Sequence, residues 1–396
     1  MKNLNVIILY LLLTIISLAT TGQAVVLNLN KRAKVAFDQY AYNQARDLYL
    51  ESYQNDTTQV EVIKGLAFTY IKLNNSVEAE YWLEKLVKVE DADTDNLNYA
   101  LVQQYSKNGK YDQAAVALEG LRMGEKERYR SEALNSLDDY MSTADYFNVE
   151  PVFFNSDKSD FGALYYDDTL VAFVSARAKD SWLVNRYNWD RSEYLDFYMV
   201  NPLKPTNDSL VSKPMAIKTL NSAYHEGPGQ LYDNNSKIVF TRNHLINNRL
   251  GRQDEGISKL QIYFAEKNKE GKWDNFYPFD QNIVNYSFGH PTITSDGDTL
   301  IFASEMPGGF GGTDLYMSVR LDSTWSVPRN LGDKINTEGE EFFPFLDGNR
   351  LYFASDTWPG LGGLDIFETE LGSGSDPRNL GVPINSSQDD FGLITK

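Results

Sequence analysis

Acid–base chemistry has few candidates in this chain. There are three histidines, His225, His244 and His290, and no cysteine. No two histidines share a metal-ligand spacing, and there is no thiol to act as nucleophile or ligand. His225 stands beside Glu226, His290 beside Pro291, and Glu340 and Glu341 occupy a comparable place further on. Carboxylates and imidazoles converging from such places would supply a general acid and base. The plainer reading is that they satisfy backbone donors at strand ends. No Ser-His-Asp order, nucleophile elbow or Asp-box accompanies them, so the chain is read as a non-enzyme with no catalytic residues.

Two glycine-rich stretches, "PGGFGGTD" (307–314) and "PGLGGLD" (359–365), invite a phosphate-binding reading. A phosphate loop needs a helix behind it to present backbone N–H groups, and these stretches run into strand-like segments instead. On that ground Asp314 and Asp365 are expected to accept hydrogen bonds from loop amides. Asp196 and Gln261 stand at the matching positions of two earlier segments. A calcium ion held by the same oxygens is the alternative; no other cofactor or metal is expected.

Two longer loops are rich in the residue types that dominate binding hot spots. Residues 177–194 carry Trp182, Arg186, Tyr187, Trp189 and Arg191, and residues 242–256 carry Arg242, Arg249 and Arg252. They either contact a partner or anchor their own loops. The surrounding charge is acidic, with 37 Lys and Arg against 55 Asp and Glu and a formal net charge of −18. That excludes sequence-independent nucleic-acid binding and simple adsorption to an anionic membrane.

The elements that must position these residues fall into two regimes. After Lys2, an apolar run from Val6 to Ala19 and small residues at Gly22 and Ala24 read as an export signal over 1–24. The run is shorter than the roughly 20 residues a bilayer span needs. Residues 25–123 show a helical period: Ala45, Ala79 and Ala114 lie 34 and 35 residues apart, as do Tyr49, Leu83 and Leu118 four positions later. Tyr70 and Tyr105 repeat the interval. Small residues let antiparallel helices approach, and a bulky residue one turn on fills the groove. Gly109 falls where the inter-helix turn needs positive φ. No aromatic or basic stripe names a ligand for this arm. Residues 124–150 read as a helical cap and linker.

From 151 to 396 the period changes. "LVAFVSAR" (170–177), "KIVFTRNH" (237–244), "LIFASEMP" (300–307) and "LYFASDTW" (351–358) each follow an Asp-rich turn. Each precedes an aromatic-rich run: "LDFYMV" (195–200), "LQIYFAE" (260–266), "TDLYMSV" (313–319) and "LDIFETE" (364–370). Short outer segments such as "WSVPRNLGDKIN" (325–336) close the units. Four-stranded units repeating every 50–65 residues predict β-propeller blades. "NSDKSDFG" (155–162) recurs as "NSSQDDFG" (385–392) after 230 residues, the length of four blades. The expected fold is therefore α+β and multidomain: a helical solenoid, then four complete blades plus the first strand of a fifth. "VFFN" (152–155) is expected to close the ring as an outer strand of the last blade.

The helical period resembles the tetratricopeptide repeat. "YHEGPGQLYDNNSKIVFTRNH" (224–244), "SFGHPTITSDGDTLIFASEMPGGFGGTDLYMS" (287–318), "NLGDKINTEGEEFFPFLDGNRLYFASDTWPGLGGLDIFE" (330–368) and "PINSSQDDFG" (383–392) resemble the WD40-like, or PD40, propeller of OmpA-family envelope proteins of Gram-negative bacteria. The resemblance implies an exported, outer-membrane-associated scaffold with protein partners at the periplasmic side. Some members of that family serve type IX secretion and gliding. The family plan is roughly six blades followed by a regulatory-like module and a peptidoglycan-binding OmpA domain; this sequence is incomplete against it, as a fragment or a shorter form. Peptidoglycan contact through that domain is accordingly not carried over. The alternative functions are a glycan- or peptidoglycan-fragment-binding propeller face and, behind it, a propeller hydrolase acting through the junction carboxylates.

Overall fold

A computed structural model describes residues 27–89, 94–142, 147–178, 186–203, 213–247, 249–251 and 257–395. The proposed export signal, Trp182 and Arg252 lie outside the described residues. The chain divides into two compact units. One runs to Tyr105 and includes Tyr187–Arg191; the other comprises Ser106–Arg186 and Ser192–Lys396. No helix among the described residues is long and apolar enough to cross a membrane.

The first unit is built of helices: α1 (27–38), α2 (Tyr42–Asn55), α3 (Val60–Lys72), α4 (Ser76–Val89) and most of α5 (Thr94–Lys107). The 34- to 35-residue period is a packing period. Ala45, Ala79 and Leu83 are buried on α2 and α4, and Tyr70 and Tyr105 on the intervening helices. A Cβ on Gly65 would collide with the Tyr49 ring, so the close approach of α2 and α3 depends on that glycine. The turns repeat as well. Tyr40, Asn74 and Gly109 end successive odd-numbered helices with φ of 59°, 53° and 67°. Glycine takes that region freely, and Asn with local hydrogen bonding; only Gly109 was legible as such a turn.

The second unit begins with α6 (Tyr111–Leu118), α7 (Glu125–Asn135) and α8 (Leu137–Met141). Four antiparallel sheets follow, arranged as a β-propeller. Blade one is β1 (Asp160–Tyr165), β2 (Val171–Ser175), β3 (Asp196–Val200) and β4 (Met215–Ala216), paired in that order. Blade two pairs β5 (Glu226–Tyr232) with β6 (Lys237–Asn243), and a small hairpin of β7 (Leu245–Ile246) and β8 (Arg249–Leu250) follows. Its sheet is completed by β9 (Leu260–Lys267) and β10 (Trp273–Pro278). Blade three is β11 (Phe288–Ile293), β12 (Thr299–Ser304), β13 (Asp314–Leu321) and β14 (Thr324–Trp325), with β15 (Arg329–Asn330) also on β13. Blade four is β16 (Glu341–Asp347), β17 (Arg350–Ser355), β18 (Asp365–Glu370) and β19 (Arg378–Asn379).

The inner and second strands are joined by the Asp turns read from sequence. Asp167 Oδ1 accepts from the amides of Thr169 and Leu170, at 2.7 and 2.8 Å, and Asp296 Oδ1 accepts from that of Asp298 at 3.0 Å. The core lies in the seams between sheets. Val174 and Phe197 meet Phe240 and Trp273; Phe264 and Phe279 meet Phe302 and Trp325; Leu315 and Ile301 meet Phe353 and Trp358.

Residues 152–155 depart from expectation. They form a turn, with the Asn155 amide donating to the Val152 carbonyl at 3.2 Å, and pair with no strand among the described residues. Phe154 packs on Phe173 of blade one, and Arg177 occupies its carbonyl at 3.1 Å. Three apolar residues, with a carbonyl already committed to a guanidinium, make too short a strand to span a ring gap. Closure falls instead to the chain after Asn385, where the expected first strand of a fifth blade does not form: residues 386–395 join no sheet. The Asp390 amide reaches the Leu364 carbonyl at 2.6 Å, and Phe391 sits between Phe343 of blade four and Phe161 of blade one.

Candidate functional site: the blade junctions and the propeller axis

Where the chain leaves the outer strand of each blade, an asparagine governs the passage. Asn221, Asn282, Asn336 and Asn385 each direct a carboxamide at a third strand. Their Oδ1 atoms accept from the amides of Phe197, Ile262, Leu315 and Ile366, at 2.7–3.2 Å. Their Nδ2 groups donate back to the carbonyls of the same residues, at 2.8–3.0 Å. A side chain thus replaces one peptide unit of the outer strand. The sequence signal was an Asn five or six positions ahead of each inner strand; asparagine reads locally as a turn former, which hid it.

The residues singled out for acid–base work stand just after these asparagines. Glu226 is fully buried and ion-paired with Arg242, Nε to Oε1 at 2.9 Å; Arg242 also donates to the Leu220 carbonyl at 2.6 Å. Burial still outweighs the guanidinium and raises the Glu226 carboxyl to about 7. Glu341 accepts from the Thr337 amide and hydroxyl and from the Ser355 hydroxyl, at 2.9, 2.7 and 2.7 Å. Burial raises it to about 8, the three donors opposing. The His225 Nδ1 accepts from the Leu195 amide at 3.1 Å, and its ring meets Tyr194 edge-on. The Glu340 amide donates to Asp356 at 3.0 Å. Of these five junction residues only His290 lines the axial cavity. Glu226 and Glu341 turn into their own blades.

The loop aspartates differ from one another. Asp314 accepts from the amides of Phe310 and Gly311, at 2.6 and 3.2 Å, and from Asn330 at 2.7 Å. Asp365 accepts from the Gly362 amide at 3.2 Å, and burial raises it to about 7. Asp196 is buried at the same register of β3, and Gln261 donates to the Tyr286 carbonyl at 3.0 Å from β9. Among the described residues no three His, Asp or Glu side chains converge as a metal site would require. The glycine-rich loop of blade four is braced by α7. Arg130, buried, donates to the carbonyls of Gly360 and Gly362 at 3.1 and 3.0 Å, and Tyr129 stacks on Trp358 at 4.9 Å.

The aromatic and basic loop residues also have assigned surroundings. Within the helical unit Trp189 meets Tyr42 edge-on at 4.6 Å and donates from Nε1 to the Lys72 carbonyl at 2.9 Å. Tyr187 stacks on it, and Arg191 faces Asp47 at 3.3 Å. Arg186 lies in an isolated bridge with Glu193. Arg249 is exposed on the β7–β8 hairpin. Sequence reading missed an aromatic group on α4: Lys85 lies 4.8–5.4 Å from the rings of Tyr53, Tyr81 and Trp82, and Tyr81 is exposed.

The inner strands carry the remaining feature. Each of β1, β5, β11 and β16 slips register once, between Phe161 and Leu164, Glu226 and Gly229, Gly289 and Thr292, and Phe342 and Phe345. The residues that open these slips are Gly162, Gly227, His290 and Phe343, and Gly392 follows Phe391 in the same way. Gly162, His290, Phe343 and Gly392 line one cavity of about 220 Å³ on the propeller axis, with Pro228 beside them.

No protein-family model and no curated protein matches the chain. Solved structures with distant likeness include an α-L-arabinofuranosidase from Lactobacillus brevis, with TM-score 0.36 and 10% identity over 60% of this chain and 77% of that one. A prolyl endopeptidase gives 0.30 and 12%, over 56% and 27%. The tricorn protease gives 0.28 and 12%, over 56% and 22%. The matched part spans about a quarter of those two proteases, and at these scores none of the likenesses carries an argument about chemistry.

Proposed function

We propose that this chain is a non-enzymatic scaffold of the Gram-negative cell envelope, exported to the periplasm and holding protein partners on its helical arm and propeller. The observation that carries this reading is the fate of the junction carboxylates. Glu226 is bound to Arg242, and Glu341 to Thr337 and Ser355. Groups tied into their own blade build a rigid rim and are poorly placed to relay protons to a substrate. The Tyr53–Tyr81–Trp82 group around Lys85 presents the residue types that anchor interfaces. The sequence resemblance to OmpA-family proteins with PD40 repeats supplies the envelope setting and the tie to type IX secretion.

The test is chemical cross-linking of the full chain in a Gram-negative envelope, followed by recovery of partners. The reading expects a defined envelope protein whose recovery drops with Tyr81→Ala. No partner with the unaltered chain, or hydrolysis of an envelope substrate lost on Glu341→Gln, overturns it. The second reading, a site for glycan or peptidoglycan fragments, is favoured by the cavity on the axis. Titration with muropeptides, followed by tryptophan fluorescence, separates the two.

A further inference from the structure

The four positive-φ residues that meet at the axial cavity are not chemically equivalent. Gly162 and Gly392 have φ of 61° and 74°, a region glycine enters without penalty. His290 and Phe343 occupy the same place in their strands with φ of 50° and 51°. For residues of that bulk the left-handed region is strained, and it persists where the surroundings enforce it. Glycine at those two positions would give the same bulge without strain.

What the strain secures is a pair of rings. His290 and Phe343 stack with centroids 3.9 Å apart and planes 10° from parallel. Phe343 in turn stacks on Phe391 at 4.5 Å. The Nδ1 of His290 is buried and has no hydrogen-bond partner among the described residues. Burial also lowers its pKa to about 4, so the imidazole is neutral under ordinary conditions. Among the described residues no Lys, Arg, Asp or Glu lines the cavity. Pro228, Pro291 and Pro344 stand in its wall, and proline contributes no N–H. Among the polar groups of the lining, Gln230 is held with a donor to spare. Gln230 Oε1 accepts from the Thr292 hydroxyl and the Ile293 amide, at 2.5 and 2.9 Å, which leaves its Nε2 as the available donor.

We propose that the axial cavity is a binding site for an uncharged planar ring of phenol-like chemistry, with the stacked His290 and Phe343 as its aromatic wall and Gln230 as the hydrogen-bond donor to its oxygen. Asn235, Tyr165 and Thr395 also line the cavity, so a glycan is the competing ligand that the experiment separates. The site is independent of the partner surfaces proposed above. The ring belongs either to a free small molecule or to a tyrosine side chain.

The experiment is saturation-transfer NMR on the full chain with p-cresol, and in a parallel arm with acetyl-Ala-Tyr-Ala-amide. Binding is expected in at least one arm, and the tighter of the two names the source. Phe343→Gly is expected to weaken it about tenfold, the worth of an aromatic contact. Glycine relieves the strained φ but the Phe391 stack at the closure is lost, so its thermal midpoint should fall and binding is compared at a temperature where the variant is folded. His290→Gly gives a second reading should Phe343→Gly fold poorly. Absence of transfer from both probes to the folded wild-type chain overturns the proposal. So does equal binding by both glycine variants, or preferential binding of a cell-wall disaccharide.

Discussion

The seams between blades and the place where the ring closes are built differently. Eleven, eleven and nine buried apolar residues fill the three seams, against three in each cluster on the outer faces of blades one and four. The seams are aromatic and apolar. At the closure, polar contacts and helices join the Phe343–Phe391–Phe161 contacts. Lys107 pairs with Asp389 at 2.8 Å and Gln388 donates to the Lys107 carbonyl. Arg130 braces the β17–β18 loop, and the Tyr140 carbonyl accepts from the Val382 amide at 3.0 Å. The lesson is that sheets which cannot each stand alone are stabilised by a neighbouring sheet where there is one, and by a helical brace where there is not.

The comparison breaks most readily in a seam. Phe302 is fully buried against Phe279, Phe288 and Tyr316. Phe302→Ala is expected to cost about 3–5 kcal/mol in urea unfolding, and Phe173→Ala, on the thinner face of blade one, less than half of that. Equal losses would erase the distinction. Next comes the brace. Arg130→Ala leaves the Gly360 and Gly362 carbonyls without their donor, at a cost of about 2–4 kcal/mol. Hydrogen exchange should quicken across 356–365 while β6 and β12 stay protected; uniform quickening would mean that the helix supports the whole ring. Third, Asn336→Leu removes the amide pair with Leu315 and should cost about 1–3 kcal/mol. Asn336→Ser, which keeps a short polar group, tests whether the paired geometry matters. The smallest effect is a pH slope. Glu341, Glu226 and Asp365 are raised to about 8, 7 and 7 in the folded chain. Each binds its proton more tightly folded than unfolded, so its contribution is complete below about pH 4 and is lost as pH rises toward 7–8. Asp160 and Glu305 are shifted downward, and their contribution disappears at the acid end. Thermal stability should therefore peak near pH 5 and decline toward pH 8, and Glu341→Gln should flatten that decline by roughly 1 kcal/mol per unit.

Much of this architecture was written in the local sequence. Each second strand is a short apolar run between an Asp turn and hydroxyl residues, so β2, β6, β12 and β17 could be read directly. The alanine period on α2, α4 and α6 was legible for the same reason, since one residue type recurs at one helical position. The carboxamide pairs were not, because Asn336 meets Leu315 across 21 positions and its role depends on a strand that local pattern does not place. Tyr40 and Asn74 hid their turns because positive φ is ordinarily read from glycine. The axial pair was half legible: His290 was marked as a polar group, whereas its stacking on Phe343 depends on two blades meeting.

The account rests on five inner segments standing round one axis, with residues 390–395 between blades four and one. Tyr165 and Thr395 both line the cavity, and the chain has no cysteine. A Tyr165→Cys, Thr395→Cys double variant treated with a short bis-maleimide measures the closure directly. An efficient cross-link within the native monomer, lost in urea, is the predicted result. A folded monomer in which both thiols react separately and never with each other would contradict the ring.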